Sequence, residues 1–326
     1  MQLKIEVLKE LENGRGKSVS GQALAAKFGV SRNAIWKVMQ SLKEEGYDIV
    51  AGQNRGYCLS DRNDMLSAVG IADAIRHHTR GMAVYLHKEI DSTNNEAKRL
   101  IVAGKTGMAL IVSEAQSAGR GRQGKSFFSP ARTGVYMTLS FPTQLALVDA
   151  VSVTTATAVA VVGAIEELCG IRTEIKWVND IYRDGKKICG ILTEAISDFE
   201  SGRVQNIVIG IGLNFRTADF PRDLSASAAA LNPQGVNRNQ MVACIVDHLF
   251  DEMGRLGSEE QLAFYRDHSM VIGHDIVYEM DGERYAAHAL DIDETGGLVI
   301  QNEDGNRDVL RSGEIHLRTA EQMHVN

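Results

Sequence analysis

The apolar residues of this 326-residue chain change their spacing twice, which calls for several units of different kinds rather than one uniform fold. Leu3, Val7, Leu8 and Leu11 share one helical face until Asn13-Gly14 ends it. Ser20 is placed to cap a second short helix carrying Leu24, Ala25 and Phe28. Gly29 then supplies a sharp turn, and Ser31 caps a third helix that buries Ile35, Val38 and Leu42. Two strand-like stretches, Tyr47–Ala51 and Gly56–Leu59, flank the loop Gly52-Gln53-Asn54-Arg55. After Asp61-Arg62-Asn63-Asp64, a polar stretch expected to be a linker, strands alternate with helices as in an α/β domain. From about residue 271 the runs shorten again: Asp275–Met280, Glu283–Ile292, Leu298–Gln301, Arg307–Leu310 and Glu314–Arg318. Turns at Asp281-Gly282, Thr295-Gly296-Gly297 and Asp304-Gly305 separate most of them, the pattern of a small β-barrel. The expected class is α+β multidomain, with units at residues 1–62, 63–270 and 271–326.

Charge follows the same division. Residues 1–60 hold nine Lys/Arg against six Asp/Glu, a balance of +3, while the whole chain stands at −7, leaving −10 on the rest. A basic head on an acidic body implies that the head alone meets a polyanion. No apolar run reaches the roughly 20 residues of a membrane span, so no membrane partner is expected. The start has early acidic residues and no small-residue cleavage site, so no signal peptide is expected. Cys58, Cys169, Cys189 and Cys244 show no CxxC spacing and the nine histidines no HExxH. The reading is of reduced thiols in a cytoplasm and no protein-bound transition metal.

In the head, helix, glycine turn and helix form the helix-turn-helix pattern, with the hairpin as a wing. The third helix would present Arg32, Asn33, Trp36, Lys37 and Gln40, and the wing Arg55, to phosphates and base edges, and that face carries no acid. The unit resembles the winged helix-turn-helix of a transcriptional repressor; a protein-interaction module is the alternative. Trp36 leaves two registers open, with the indole on the reading face or turned inward.

Four segments of the body carry chemistry. Asp91-Ser92-Thr93-Asn94-Asn95-Glu96-Ala97 lies between the strand Val84–Glu89 and a helix, and alone reads as a plain N-cap. Gln116-Ser117-Ala118-Gly119-Arg120-Gly121-Arg122-Gln123-Gly124-Lys125 joins the strands Ala109–Ser113 and Val135–Leu139, followed by Phe127-Phe128-Ser129-Pro130. Its glycines let backbone N–H groups face a ligand, and its three cations suit the meeting of a carboxylate with a triphosphate. Lys176-Trp177-Val178-Asn179-Asp180-Ile181-Tyr182 turns at Asp184-Gly185 into Lys186-Lys187-Ile188-Cys189-Gly190-Ile191-Leu192-Thr193-Glu194, a hairpin. Ile207-Val208-Ile209-Gly210-Ile211-Gly212-Leu213-Asn214 is a buried strand ending in a glycine turn. Cys189 reads as strand packing.

In this order the four segments resemble the motifs STN, GRGR-x-G-x-x-W-x-SP, KWPND with K-x-x-GIL, and GxGxN of the bacterial biotin protein ligases, specifically the bifunctional type that is also the biotin-operon repressor. The winged helix before them and the β-rich segment after them extend the likeness to nearly the whole chain. The resemblance implies a biotin/lipoate ligase-type catalytic domain with a mixed sheet and an SH3-like C-terminal barrel. It implies an ATP-dependent, AMP-forming enzyme with biotin as substrate and Mg²⁺ arriving with ATP. The acceptor would be a lysine of the biotin carboxyl carrier protein of acetyl-CoA carboxylase, and operator DNA would be bound by a homodimer once biotinyl-AMP is present. Ser92, Thr93, Asn94 and Gln116 would contact biotin. Arg120, Gly121 and Arg122 would close over biotin and its adenylate, and Lys187 would hold the carboxylate or acyl phosphate. Gly119, Gly124, Lys125, Lys176, Asn179 and Asn214 would serve the nucleotide, over a floor of Gly210 and Gly212. Asp180 is the candidate to orient or deprotonate the acceptor amine. Phe127 replaces the family's tryptophan, Val178 its proline, and Lys125 a common arginine. The segment Phe215–Ala230 is expected to be mobile until adenylate binds. A lipoate-type ligase and a biotin-sensing repressor with lost ligase activity are the alternatives.

Overall fold

The computed structural model describes residues 2–52, 56–76, 82–143, 150–197, 204–280 and 282–317. The head comprises α1 (Gln2–Asn13), α2 (Gly21–Phe28), α3 (Arg32–Glu45), β1 (Ile49–Gly52) and β2 (Gly56–Leu59). Ser20 Oγ accepts from Ala23 N–H and Ser31 Oγ from Ala34 N–H, so both expected caps satisfy orphan donors, and Gly29 takes the left-handed turn at φ 63°. Val7, Leu8, Leu11, Leu24, Ala25, Ile35, Met39, Leu42, Tyr47, Ile49 and Leu59 form a closed small core. Met39 takes the inner place expected of Val38, which is only half-buried at the edge of that core. Tyr47 precedes the first wing strand instead of opening it and is buried beneath it.

The expected linker is no free tether. Asn63 and Ser67 are buried, and α4 (Ala68–Ala74) follows at once with Ser67 as its cap. The body then builds β3 (Ala83–His87), α5 (Thr93–Val102), β4 (Ala109–Ser113), β5 (Val135–Pro142), α6 (Ala150–Cys169), β6 (Glu174–Lys176), β7 (Asp180–Arg183), β8 (Lys186–Ser197), β9 (Val204–Leu213), α7 (Arg238–Gly254) and α8 (Glu259–His268). Its seven strands run in the order β3-β4-β5-β9-β8-β7-β6; β3 and β4 are parallel and the other pairs antiparallel, giving the expected mixed sheet. α6 is long and apolar enough to cross a bilayer, but most of it is buried inside the protein, against α7 and the sheet.

The last strands, β10 (Asp275–Met280), β11 (Glu283–Ile292), β12 (Leu298–Asn302), β13 (Arg307–Leu310) and β14 (Glu314–Leu317), match the expected runs closely. They pair antiparallel in the order β13-β12-β11-β10-β14. Asp281 of the expected first turn and Arg318 lie outside the described residues. Ile276, Ala289, Leu298 and Ile300 join one continuous apolar cluster with the body.

Candidate functional site

The two longest sheet strands set the site's floor. β8 and β9 pair so that Gly190 faces Gly212 and Leu192 faces Gly210. A Cβ on Gly210 would overlap Asn94 Oδ1, and one on Gly212 would stand 2.7 Å from the Phe127 ring. The two glycines are therefore seats for two side chains, a reason the bare GxG spacing does not disclose.

Asn94 and its neighbours occupy one end. Ser92 stands at the start of α5, but its hydroxyl makes no capping bond and lines the cavity instead, so the plain N-cap reading fails for the side chain. Thr93 donates its N–H (2.9 Å) to Gln116 Oε1, and Gln116 Nε2 donates to Ser129 Oγ (3.0 Å). Asn94 Nδ2 donates to Glu194 Oε2 (2.9 Å) and Leu192 O (3.2 Å), while its Oδ1 lies 2.6 Å from Thr138 Oγ1. This end is polar, buried and held in fixed orientation, suited to a neutral head group with donors and acceptors.

Cations gather at the other end. The glycine-arginine loop closes on itself through an Arg120–Ser126 bridge and a Gly121 N–H to Lys125 O bond of 2.7 Å. Arg120 Nη1 donates to Asn95 Oδ1 (3.0 Å) and lies 3.6 Å from Glu194. Arg122 Nη1 reaches Asn179 Oδ1 at 3.2 Å, and burial holds its pKa below that of a free guanidinium. Lys187 Nζ pairs with Asp180 at 2.7 Å across the β7–β8 hairpin, whose turn residues Asp184 and Gly185 both have positive φ. Lys176 lies over the Tyr182 ring, its pKa lowered by burial, with Lys187 and Lys125 adding repulsion. The Trp177–Val178 peptide is cis. Asn214 is 4% exposed and its Oδ1 has no hydrogen-bond partner among the described residues. A buried acceptor of that kind calls for a donor from a ligand.

Between these ends lies a cavity of about 500 Å³. Ser92, Thr93, Asn94, Gln116, Arg120, Gly121, Arg122, Lys125, Lys176, Asn179, Asp180, Lys187, Gly210, Gly212 and Asn214 all line it. Gly119 and Gly124 do not: Gly119 lies buried against Phe127 O, and Gly124 is at the exposed loop tip with φ 75°. Phe127 meets Tyr136 edge-on at 6.4 Å.

Two walls escaped the sequence reading. Gly313, Glu314, Ile315 and His316, at the start of the last strand, line the cavity, and Glu314 takes both contacts of Lys125 at 2.6 Å. Nothing local marks those residues; only the tertiary approach of the last sheet brings them in. Phe220, Leu224, Ser227 and Ala228 form the second wall, from the segment expected to be mobile. That segment is laid along β8, with Lys187 N–H bonded to Ser227 O (2.9 Å) and Ala229 N–H to Lys187 O (3.0 Å), and Phe220 rests 6.2 Å from Phe128.

On the head, Arg32, Asn33, Trp36 and Lys37 are exposed along α3 and Gln40 is half-exposed. Trp36 is 50% exposed, which settles its register in favour of the outward face. Together with Gln22, Gly52 and Tyr57 it borders a shallow groove between α3 and the wing. Gly56, at φ 82°, lets the wing cross Val19 where any Cβ would overlap that backbone. Arg55 lies outside the described residues.

The fold and site define an α/β group-transfer domain joined to a winged helix-turn-helix head. Residues 86–214 match the biotin/lipoate A/B protein ligase family, and residues 4–58 match a helix-turn-helix domain. The chain is 32% identical over 296 residues to the bifunctional ligase/repressor BirA of Bacillus subtilis, covering 88% of this chain and 90% of that one. It is 28% identical over 322 residues to the Escherichia coli protein of the same description, covering 94% and 95%. The biotin protein ligase from Aquifex aeolicus in complex with biotin and ATP shares the fold, with a TM-score of 0.60 at 22% identity, covering 73% of this chain and 99% of that one. This chain belongs to the bifunctional ligase/repressor family.

Proposed function

We propose that this cavity is where the chain activates biotin with ATP and from which it passes the biotinyl group to a lysine of the biotin carboxyl carrier protein of acetyl-CoA carboxylase. The chain is a biotin protein ligase and a DNA-binding repressor of biotin synthesis genes. The observation that carries the site assignment is the division of one cavity into a neutral polar end and a cationic end. Ser92, Thr93, Asn94 and Gln116 hold the biotin head. Arg120, Gly121, Arg122 and Lys187 meet its carboxylate and the α-phosphate, while Lys125, Lys176, Asn179 and Asn214 serve the nucleotide.

Neutralising both anions lets the carboxylate oxygen attack the α-phosphorus, and pyrophosphate leaves. The acceptor amine then attacks the acyl carbon of biotinyl-5′-AMP, AMP leaves, and Asp180 orients the amine or takes its proton. Mg²⁺ is expected to arrive on ATP. The cavity carboxylates Asp180 and Glu314 already pair with lysines, which supports an ion held chiefly by phosphate oxygens and water. Four free cysteines support a reducing, cytoplasmic setting. We assign DNA binding to residues 1–62, catalysis to 63–270 with the 271–326 unit closing the site, and repression to a homodimer formed with biotinyl-AMP.

The test mixes the protein, biotin, Mg-ATP and a carrier domain and follows mass. A biotinyl gain on one carrier lysine, preceded by biotinyl-AMP without acceptor, is expected. Equal turnover of lipoate would overturn the biotin assignment.

A further inference from the structure

Between α6 and α7, apart from the residues that line the cavity, three unlike ligand groups converge. Cys244 and His248 are four residues apart on α7, which places them one turn apart on one helix face. Glu167 stands opposite on α6. The thiol sulfur, an imidazole nitrogen and a carboxylate oxygen all lie within 4.8 Å of one another. His248 Nε2 is 2.9 Å from Glu167 Oε2. The ring lies against Gly163, where a Cβ would come within 2.9 Å of Nδ1, so the glycine lets it reach the cluster.

We infer that Glu167, Cys244 and His248 form a binding site for a single zinc-class divalent cation, with water completing the shell. Sulfur, nitrogen and oxygen donors in this number suit zinc, whose bonds of about 2.0–2.3 Å would draw the three atoms somewhat closer together. A guanidinium now fills the place. Arg76 Nη2 lies 2.6 Å from Glu167 Oε1 and 3.8 Å from Cys244 Sγ, so the cluster already holds a cation. Arg76 also has a second anchor. Its backbone N–H bonds both Asp247 oxygens (3.1 and 3.0 Å), and its Nε lies 3.5 Å from Asp247 Oδ2. It can release Glu167 and remain paired.

The charges balance. A dication with one thiolate, one carboxylate and a neutral imidazole is neutral, and the thiol proton leaves to solvent on binding. The sequence pointed to no bound transition metal because the cysteines show no CxxC and the histidines no HExxH spacing; Glu167 joins Cys244 and His248 only through the packing of α6 on α7. None of these residues lines the cavity, so the site is separate from the ligase reading and its failure leaves that reading intact.

The test strips the full chain with chelator and titrates it with zinc by calorimetry, then with cobalt by absorption. One ion per chain and a thiolate-to-cobalt charge-transfer band are expected. Cys244→Ser and His248→Gln should each weaken binding by about tenfold or more, with circular dichroism and biotinyl-AMP formation unchanged. Arg76→Gln, which removes the resident cation, should tighten it. Absence of saturable zinc binding, or binding equal in parent, Cys244→Ser and His248→Gln, would overturn the site.

Discussion

At the scale of single residues, the cavity depends on side chains that cannot exchange roles. Arg122 is half-buried and bonded to Asn179, itself tied to β8 through Nδ2 to Ile191 O at 3.0 Å. Losing a charge-assisted contact of this kind costs about 1.5–3 kcal/mol, a tenfold effect or more. Arg122→Ala is therefore expected to fold normally and release biotinyl-AMP at least about tenfold faster; unchanged retention in a filter assay would remove it from the site. Gly210→Ala tests the seat beneath Asn94. The added methyl must displace a side chain bonded to Glu194 and Thr138, an overpacking cost of about 1–3 kcal/mol. Biotin affinity should fall with it, and an unaltered calorimetric titration would show that Asn94 has no part in binding.

Elements differed in how far the sequence disclosed them. The caps at Ser20 and Ser31, the turn at Gly29, the five late strands and most of the glycine-arginine loop could be read because each is a local choice. The helix face assigned to Val38 slipped by one position, to Met39, because two apolar neighbours fit the same period. Phe215–Ala230, rich in alanine and serine, is expected to be mobile until adenylate binds; its backbone bonds to β8 leave no pattern in side chains, so the sequence did not disclose where it lies. The same holds for Glu314, whose partner Lys125 is 189 residues away. That contact is open to titration. Lys125 holds the Glu314 carboxyl below its ordinary 4.5, so the pair's contribution is full above about pH 4.5 and is lost as pH falls through the lower folded value. Lys125→Met should cost under about 1 kcal/mol at neutral pH, and the difference should vanish in acid. A gap that persists at low pH, measured by urea unfolding, would mean that packing rather than charge joins the loop to the last sheet.

For the whole molecule, the stretch that follows the head is tied into the body by a buried polar cluster. Arg238 is 1% exposed; its Nη1 lies 2.6 Å from Glu114, its backbone N–H bonds Asp64 Oδ1 (2.7 Å), and Asp64 also takes Arg216 (2.7 Å). Glu114 Oε1 accepts Leu66 N–H at 3.0 Å, two positions before the cavity's Gln116. Removing one partner of a buried pair costs about 3–5 kcal/mol, so Arg238→Met should lower the denaturation midpoint sharply and added Glu114→Gln should restore part of it. No recovery in the double variant would assign the loss to the arginine's other bonds. The charge division argues a further outcome. A head of +3 on a body of −10 is expected to bind DNA weakly alone, whereas two heads on one duplex would make the second engagement nearly intramolecular. Footprinting and sedimentation at matched salt should show operator protection only with biotin and ATP present, as a dimer on an inverted repeat; full protection by unliganded monomer would contradict it.

The wall formed by Gly313–His316 also sets an order of events during synthesis. The head's core closes within residues 7–59, whereas the cavity lacks a side until the ribosome has added residue 316. At about 5–20 residues per second that interval is roughly 10–50 s. A nascent chain thus displays a folded head before it owns a finished cavity, and a chain truncated anywhere before the last strand is expected to keep its helix-turn-helix while losing the adenylate-dependent DNA binding proposed above.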